Sequence, residues 1–218
     1  MKRRRLRYAL FDLDDTMYPK SAGVMDTVRQ RITKYMTLRL GMNQALARQL
    51  RARYYEQYGT TLRGLCVELQ IDPDDYLSYV HGFPVAEVLA PNSALDQVLA
   101  CLPWRKVVFT SGSREHAQRV LTALDVKQHF ERIFDIRDTR YYCKPHPSAY
   151  CAVLDSLDVA AEECLMIDDS ISNIRAAKEL GMVTVLVGSL DSQEGADFAI
   201  DRIEDTVDVA RRIARETA

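Results

Sequence analysis

Apolar and polar residues follow one pattern up to Tyr18, a second to Ala90 and a third from Pro91 onward. The first is a short apolar run, Leu6 to Leu13, that closes on Asp12 and Asp14. Such a run reads as a buried strand whose carboxyl end carries the acids. The second is helical. Val28, Ile32, Tyr35 and Met36 fall on one helix face, and Gly41 marks a stop. Asn43 is placed to cap a second helix, with Leu46, Leu50 and Tyr54 on one face and Gly59 at its end. Thr60–Gly64 reads as a loop, and Asp72-Pro73 opens a further helix through Tyr76, Leu77 and Val80.

In the third pattern strands and helices alternate. Lys106–Phe109, Arg132–Ile136, Cys164–Ile167, Val183–Val187 and, more weakly, Phe198–Ile200 read as strands. Between them lie a helix capped by Ser113, one with Pro147 in its first turn, and one from Ser170 to Leu180. This alternation predicts a parallel α/β sheet with helices on both faces, a Rossmann-like core. The expected organisation is a core of residues 1–18 and 91–218, interrupted by an all-helical cap at 19–90. At 218 residues the chain exceeds the usual ~150 of one domain, which suits a core plus an insert.

Composition adds limits. There are 29 basic and 31 acidic residues, for a net charge of −2, which argues against a nucleic-acid polymer as partner. Five scattered cysteines without a C-x-x-C pair fit neither a disulfide framework nor a structural zinc site, and point to a reducing cytoplasm. No apolar run reaches the ~18 residues of a membrane span. The basic start, Met1 to Arg7, meets acids too soon for a secretory leader and reads as the solvated flank of the first strand. The acidic stretch from Asp191 to Asp208 reads as solvated surface.

The chemistry lies at strand ends, where α/β sheets bind ligands. The first strand delivers Asp12, Asp14 and Thr16, the second Thr110 and Ser111. The loop after the third delivers Lys144-Pro145, and the fourth Asp168 and Asp169. Carboxylates gathered at one edge repel unless a cation joins them, and oxygen-only ligands select a hard ion such as Mg²⁺. Hydroxyl, amide and ammonium donors beside them suit a phosphoryl group.

Phe11-Asp12-Leu13-Asp14-Asp15-Thr16, Val107–Thr110, Lys144-Pro145 and Ile167-Asp168-Asp169-Ser170 together resemble the four motifs of the haloacid dehalogenase superfamily of phosphohydrolases. The resemblance implies Asp12 as nucleophile and Asp14 as acid and base. It implies Mg²⁺ on Asp12, the Asp14 carbonyl and Asp169, with Asp168 in or behind that shell. Thr110, Ser111 and Lys144 would then hold phosphate. Dehalogenases of the superfamily lack an acid at the position of Asp14, so its presence favours a phosphatase. Asp14–Pro19, Tyr58–Gly64 and Tyr79-Val80-His81 resemble the pyrimidine 5′-nucleotidase branch. That implies a small phosphate ester, a pyrimidine nucleoside monophosphate, as substrate. Ser111 stands where asparagine is common in the superfamily, and Asp15 where glycine is.

In the insert, Arg63 and Tyr58 are the candidates for touching substrate, while the spacing of Tyr54, Tyr55 and Tyr58 also fits the core of the insert. His81, His116 and His146 read as ordinary helix residues, and Cys143 as packing. Three alternatives stay open: a phosphomutase or phosphotransferase on the same scaffold, a phosphatase of another small ester such as a sugar phosphate or phosphoglycolate, and a phospho-acceptor signalling module. Receiver modules share the acidic pair, Thr and Lys-Pro, but in them the acidic pair comes first, and here it comes last.

Overall fold

The computed structural model describes residues 5–188 and 195–217; positions 1–4 of the basic flank and 189–194, of which 191–194 belong to the acidic stretch, lie outside the described residues. The strands are β1 (Tyr8–Phe11), β2 (Arg105–Phe109), β3 (Arg132–Phe134), β4 (Cys164–Asp168), β5 (Val183–Val187) and β6 (Phe198–Ile200). They form one parallel sheet in the order β3-β2-β1-β4-β5-β6. The sheet order reverses between β1 and β4, so their carboxyl ends open the crevice where such sheets bind ligands. Every residue of β1 and β4 is buried, because helices cover both faces.

Side-chain alternation sorts the sheet into two cores. Ala9 and Phe11 of β1 face one core with Val108, Leu165 and Val185. Helices α5 (Ser93–Cys101), α6 (Arg114–Ala123) and α9 (Thr206–Thr217) contribute Leu95, Leu99, Ala117, Val120, Leu121 and Val209 to it. Tyr8 and Leu10 face the other core, built on α7 (Pro147–Leu157) and α8 (Ile171–Glu179).

Between β1 and β2 the chain forms four helices, α1 (Val24–Leu38), α2 (Gln44–Tyr58), α3 (Thr61–Leu69) and α4 (Pro73–His81). This is the helical cap on the α/β core. The caps expected from sequence form: Asn43 Oδ1 accepts from the Leu46 amide at 2.9 Å, and Ser113 Oγ from the His116 amide at 3.3 Å. The cap packs its own core from Val28, Tyr35, Met36, Tyr54, Leu65, Tyr76 and Val80, joined by Ile136 and Cys143 from the loop after β3. Gly59 allows that approach, since it has a φ of 80° and an added Cβ would lie 2.7 Å from Cys143 Sγ.

Three sequence expectations need correction. Thr60–Gly64 is not a loop: Thr60 Oγ1 accepts from the Arg63 amide at 3.2 Å and starts α3. Gly64 is a packing glycine within that helix, not loop punctuation, because its Cα faces the buried Tyr54 ring. The strand expected over Arg132–Ile136 stops at Phe134, where the Asp135 side chain takes over the backbone amides that follow. Helices α5 and α9 were not expected; α9 begins inside the stretch read only as acidic surface.

Candidate active site

The β1–β4 ladder fixes the centre of the site. The Asp12 amide donates to the Ile167 carbonyl at 2.9 Å, which sets Asp12 beside Asp168. Lys144 reaches between them. Its Nζ donates to Asp12 Oδ1 at 2.7 Å, to Asp168 Oδ2 at 2.7 Å and to the Phe109 carbonyl at 2.8 Å. All three ammonium protons are thereby used. Asp168 is wholly buried and also accepts from the Ser170 amide and from Asn173 Nδ2. Its oxygens are committed to holding Lys144 and the start of α8.

Asp169 pairs with a different lysine. Its Oδ2 pairs with Lys20 at 2.9 Å, and its amide donates to Thr16 Oγ1, which in turn donates to Asp12 Oδ2 at 2.9 Å. Carboxylate oxygens of Asp12, Asp168 and Asp169 lie within 4.8 Å of one another. These three carboxylates share one buried ammonium and the exposed Lys20. Burial, with the charge of Asp168, pushes the Asp12 carboxyl up to about 7 against the pull of Lys144. Lys144 is itself held high: burial works against its charge, but two carboxylates outweigh it. An all-oxygen donor set short of positive charge fits a divalent hard cation such as Mg²⁺.

Asp14 lies in a different setting. Its Oδ1 accepts from the Tyr18 hydroxyl and lies 2.8 Å from His116 Nε2. Burial raises its pKa, yet His116 and the two hydrogen bonds win and lower it to about 2. Tyr18 is raised well above the phenol range by burial and by Asp14, so it remains a proton donor. Asp15 follows with a φ of 62°, the left-handed region that favours glycine, and its aspartate is among the side chains that best tolerate it.

Thr110 is buried at the end of β2, and its Oγ1 accepts from the Gly112 amide at 2.9 Å. That leaves its hydroxyl proton to donate. A Cβ at Gly112 would meet both Thr110 Oγ1 and Asp14 Oδ2, so bare backbone lets those two groups face one another. Ser111 stands between, half-buried. The structure thus gathers Asp12, Asp14, Thr110, Ser111, Lys144, Asp168 and Asp169 at one sheet edge. It does not bring the two cap candidates into hydrogen bonds with them. Arg63 lies over the Tyr142 ring at 3.7 Å and reaches the Tyr141 carbonyl, and the Tyr58 hydroxyl donates to Glu68. Tyr54 is in the cap core, whereas Tyr55 is exposed.

Sequence reasoning missed Tyr18, Lys20 and His116. His146 is, as expected, a helix-entry residue, accepting from the Ser148 amide through Nδ1. Cys143 is buried in packing, and burial pushes its thiol up. His116 is the exception among the histidines, with its ring on Asp14 and stacked on His81. No local signal marked it, because its partner lies 102 residues away in sequence.

The fold and site place the chain among capped, doubly wound α/β proteins with carboxylates gathered at the switch point of the sheet. The chain belongs to the haloacid dehalogenase-like hydrolase family, whose pattern matches residues 6–181. It is 30% identical over 193 residues to phosphate metabolism protein 8 of Saccharomyces cerevisiae, covering 81% of this chain and 60% of the yeast protein. The chain therefore spans less than two thirds of that relative. It is 25% identical over 234 residues to glyceraldehyde 3-phosphate phosphatase of Methanopyrus kandleri, covering 97% of this chain and 100% of that one. Its fold is similar to that of L-2-haloacid dehalogenase from Xanthobacter autotrophicus, with a TM-score of 0.61 at 18% identity over 98% of this chain and 100% of the other. Among the described residues no helix is long and apolar enough to cross a membrane.

Proposed function

We propose that the chain is a Mg²⁺-dependent phosphomonoesterase that hydrolyses a small phosphate ester through a phosphate carried on Asp12. A pyrimidine nucleoside monophosphate is the substrate proposed. The observation that carries this reading is the Lys144 bridge between Asp12 and Asp168 at the switch point of the sheet. It leaves an aspartate oxygen beside a fixed positive charge, as a phosphoryl acceptor requires. The phosphatase named among the relatives supports the same class of reaction.

Asp12, Asp169 and the Asp14 carbonyl would hold Mg²⁺, with Asp168 behind them. When bound, the ion offsets the surplus carboxylate charge and that of the phosphate. An Asp12 oxygen attacks phosphorus. The ester P–O bond breaks, its electron pair stays on the leaving oxygen, and that oxygen takes a proton from Asp14. Water then attacks the same phosphorus and gives a proton to Asp14, and the Asp12–phosphorus bond breaks to release phosphate. The Thr110 hydroxyl and the Ser111 amide hold the phosphate oxygens, and Lys144 neutralises charge between Asp12 and the phosphate. Residues 19–90 act as the cap. Arg63, which reaches the loop leading to Lys144, is proposed to meet the leaving group, with Tyr58 beside it. A cytoplasmic setting belongs to the same reading, on the free cysteines.

The test is a panel of nucleotides, sugar phosphates, phosphoglycolate and pyridoxal phosphate, assayed with Mg²⁺ and with chelator, beside Asp12→Asn. Turnover by the unaltered protein should depend on Mg²⁺ and favour pyrimidine nucleotides. Asp12→Asn should abolish turnover while folding normally, because it removes one of the crowded charges. Near-normal turnover by Asp12→Asn would overturn the covalent step, and a flat profile would overturn the substrate. Labelled water entering the phosphate separates hydrolysis from transfer to a second substrate. A long-lived phosphorylated Asp12 without turnover would favour the signalling module.

A further inference from the structure

The His116 ring is wholly buried, yet among the described residues its Nδ1 has no hydrogen-bond partner. Its Nε2 lies 2.8 Å from Asp14 Oδ1. A histidine buried only for packing has no reason to spend its one polar contact on a carboxylate at the mouth of the site. One face of the ring stacks on His81, the last residue of α4, with centroids 4.5 Å apart and planes 15° apart. His81 is fixed in turn: its Nδ1 lies 3.1 Å from Ser113 Oγ, and its carbonyl accepts from Arg119 at 2.9 Å. Ser113 is also the cap of α6, which carries His116. The Tyr18 hydroxyl approaches Asp14 from the opposite crossing, where the chain leaves the core for the cap.

We infer that His116 is a positioning residue for Asp14, and that its stack on His81 makes this positioning depend on where the cap helix α4 ends. The inference rests on the reading of Asp14 as acid and base. A carboxylate accepts, so Nε2 carries the proton and donates it to Oδ1. With Oδ1 held by His116 and Tyr18, the carboxyl plane is fixed and Oδ2 is the oxygen left to exchange a proton with the leaving group and then with water. Oδ2 is also the oxygen nearest Gly112 and, across it, Thr110 Oγ1. The cap therefore touches the reaction through a ring stack on the core side of the crossing, and not only through residues that meet substrate.

The experiment compares esters that do and do not need a proton on departure. His116→Leu keeps bulk and removes the donor; His116→Gln restores an N–H donor. Each is assayed with Mg²⁺ on uridine monophosphate or glycerol phosphate, whichever the unaltered protein turns over faster, and for the burst of dinitrophenol from dinitrophenyl phosphate. His116→Leu should lower kcat on the alkyl ester about 100-fold, with KM and the burst rate within about threefold of the unaltered protein. His116→Gln should recover about tenfold of that loss. His81→Leu, which leaves the donor in place, should show the same selective loss at about tenfold, and carries the test if His116→Leu does not fold. Equal losses on both esters, or no loss on the alkyl ester, would overturn the inference. Absence of turnover of either ester by the unaltered protein would instead overturn the reaction on which it rests.

Discussion

Lys144 and Arg137 each gather carboxylates, one at the sheet edge and the other on the seam between cap and core. Lys144 does so in the interior, with its side chain 1% exposed between Asp12 and Asp168. Arg137, just after β3, pairs with Asp74 at the start of α4, with Glu115 on α6 and with Asp135, and is 30% exposed. The ion-pair distances overlap, 2.7 Å for Lys144 and 2.7 to 3.2 Å for Arg137. Distance therefore does not separate the two regions; solvent does. A buried pair resists the loss of a partner because the remaining charge cannot be hydrated, whereas water and salt replace most of an exposed one. The sheet edge is built to stay fixed, and the seam is built from contacts that can exchange.

The largest expected effect lies at the buried end. Lys144→Met leaves Asp12 and Asp168 crowded without their ammonium. It should cost about 3 kcal/mol of stability in urea unfolding with chelator present. Added Mg²⁺ should return part of that loss, since a cation supplies the missing charge. A loss below about 1 kcal/mol would mean that the sheet edge behaves like the surface, and the comparison would fail.

The sheet edge was also the region most legible from sequence. Asp12 and Thr110 directly follow, and Asp168 ends, a strand whose preceding residues are an apolar run, so one rule about strand ends located them all. The seam follows no such rule. Gly64 read as loop punctuation because glycine commonly breaks helices, and the ring that requires it, Tyr54, belongs to another helix. The loop after β3 holds Arg140 and Tyr141 in left-handed conformations, with φ of 53° and 62°, although neither is a residue type that announces a turn. His116 and Lys20 were missed for the same reason: their partners, Asp14 and Asp169, are distant in sequence and become neighbours only when the sheet forms. Periodicity reports what one element buries, not what two elements share.

An intermediate effect probes the apolar part of the cap. In an exposed helix, Gly→Ala is stabilising by roughly 0.5–1 kcal/mol. Gly64→Ala should reverse that sign. The new methyl would overlap the Tyr54 ring, which is 1% exposed and has its hydroxyl 3.0 Å from Glu68, so the ring cannot swing clear. Overpacking of this kind costs about 2 kcal/mol. Thermal unfolding measures it, and a rise in melting temperature would show that the cap core yields as readily as the seam.

The smallest effect is expected at Arg137→Ala, and it is the sharpest probe of the contrast. Three ion pairs disappear, yet Asp74 and Glu115 are left exposed to water. Asp135 is buried, but it keeps the backbone amides of Arg114, Arg137 and Asp138 at 3.0 to 3.2 Å. No charge is stranded, so the loss at neutral pH should stay below about 1 kcal/mol and shrink further in high salt. Acid should remove what difference remains. Burial pushes the Asp135 carboxyl up, but the Arg137 hydrogen bond and those amides outweigh it and hold it below the usual carboxylate value. A depressed carboxyl contributes stability that is present above its unfolded pKa and is lost as pH falls through its folded pKa. Without Arg137 the folded pKa rises toward the unfolded one, so that contribution is smaller and its loss begins at higher pH. Urea midpoints of the two proteins should therefore differ little in salt at neutral pH and converge further at the acid end, below the Asp135 transition. A deficit as large as that of Lys144→Met, unchanged by salt, would mean that the seam is as rigidly held as the sheet edge.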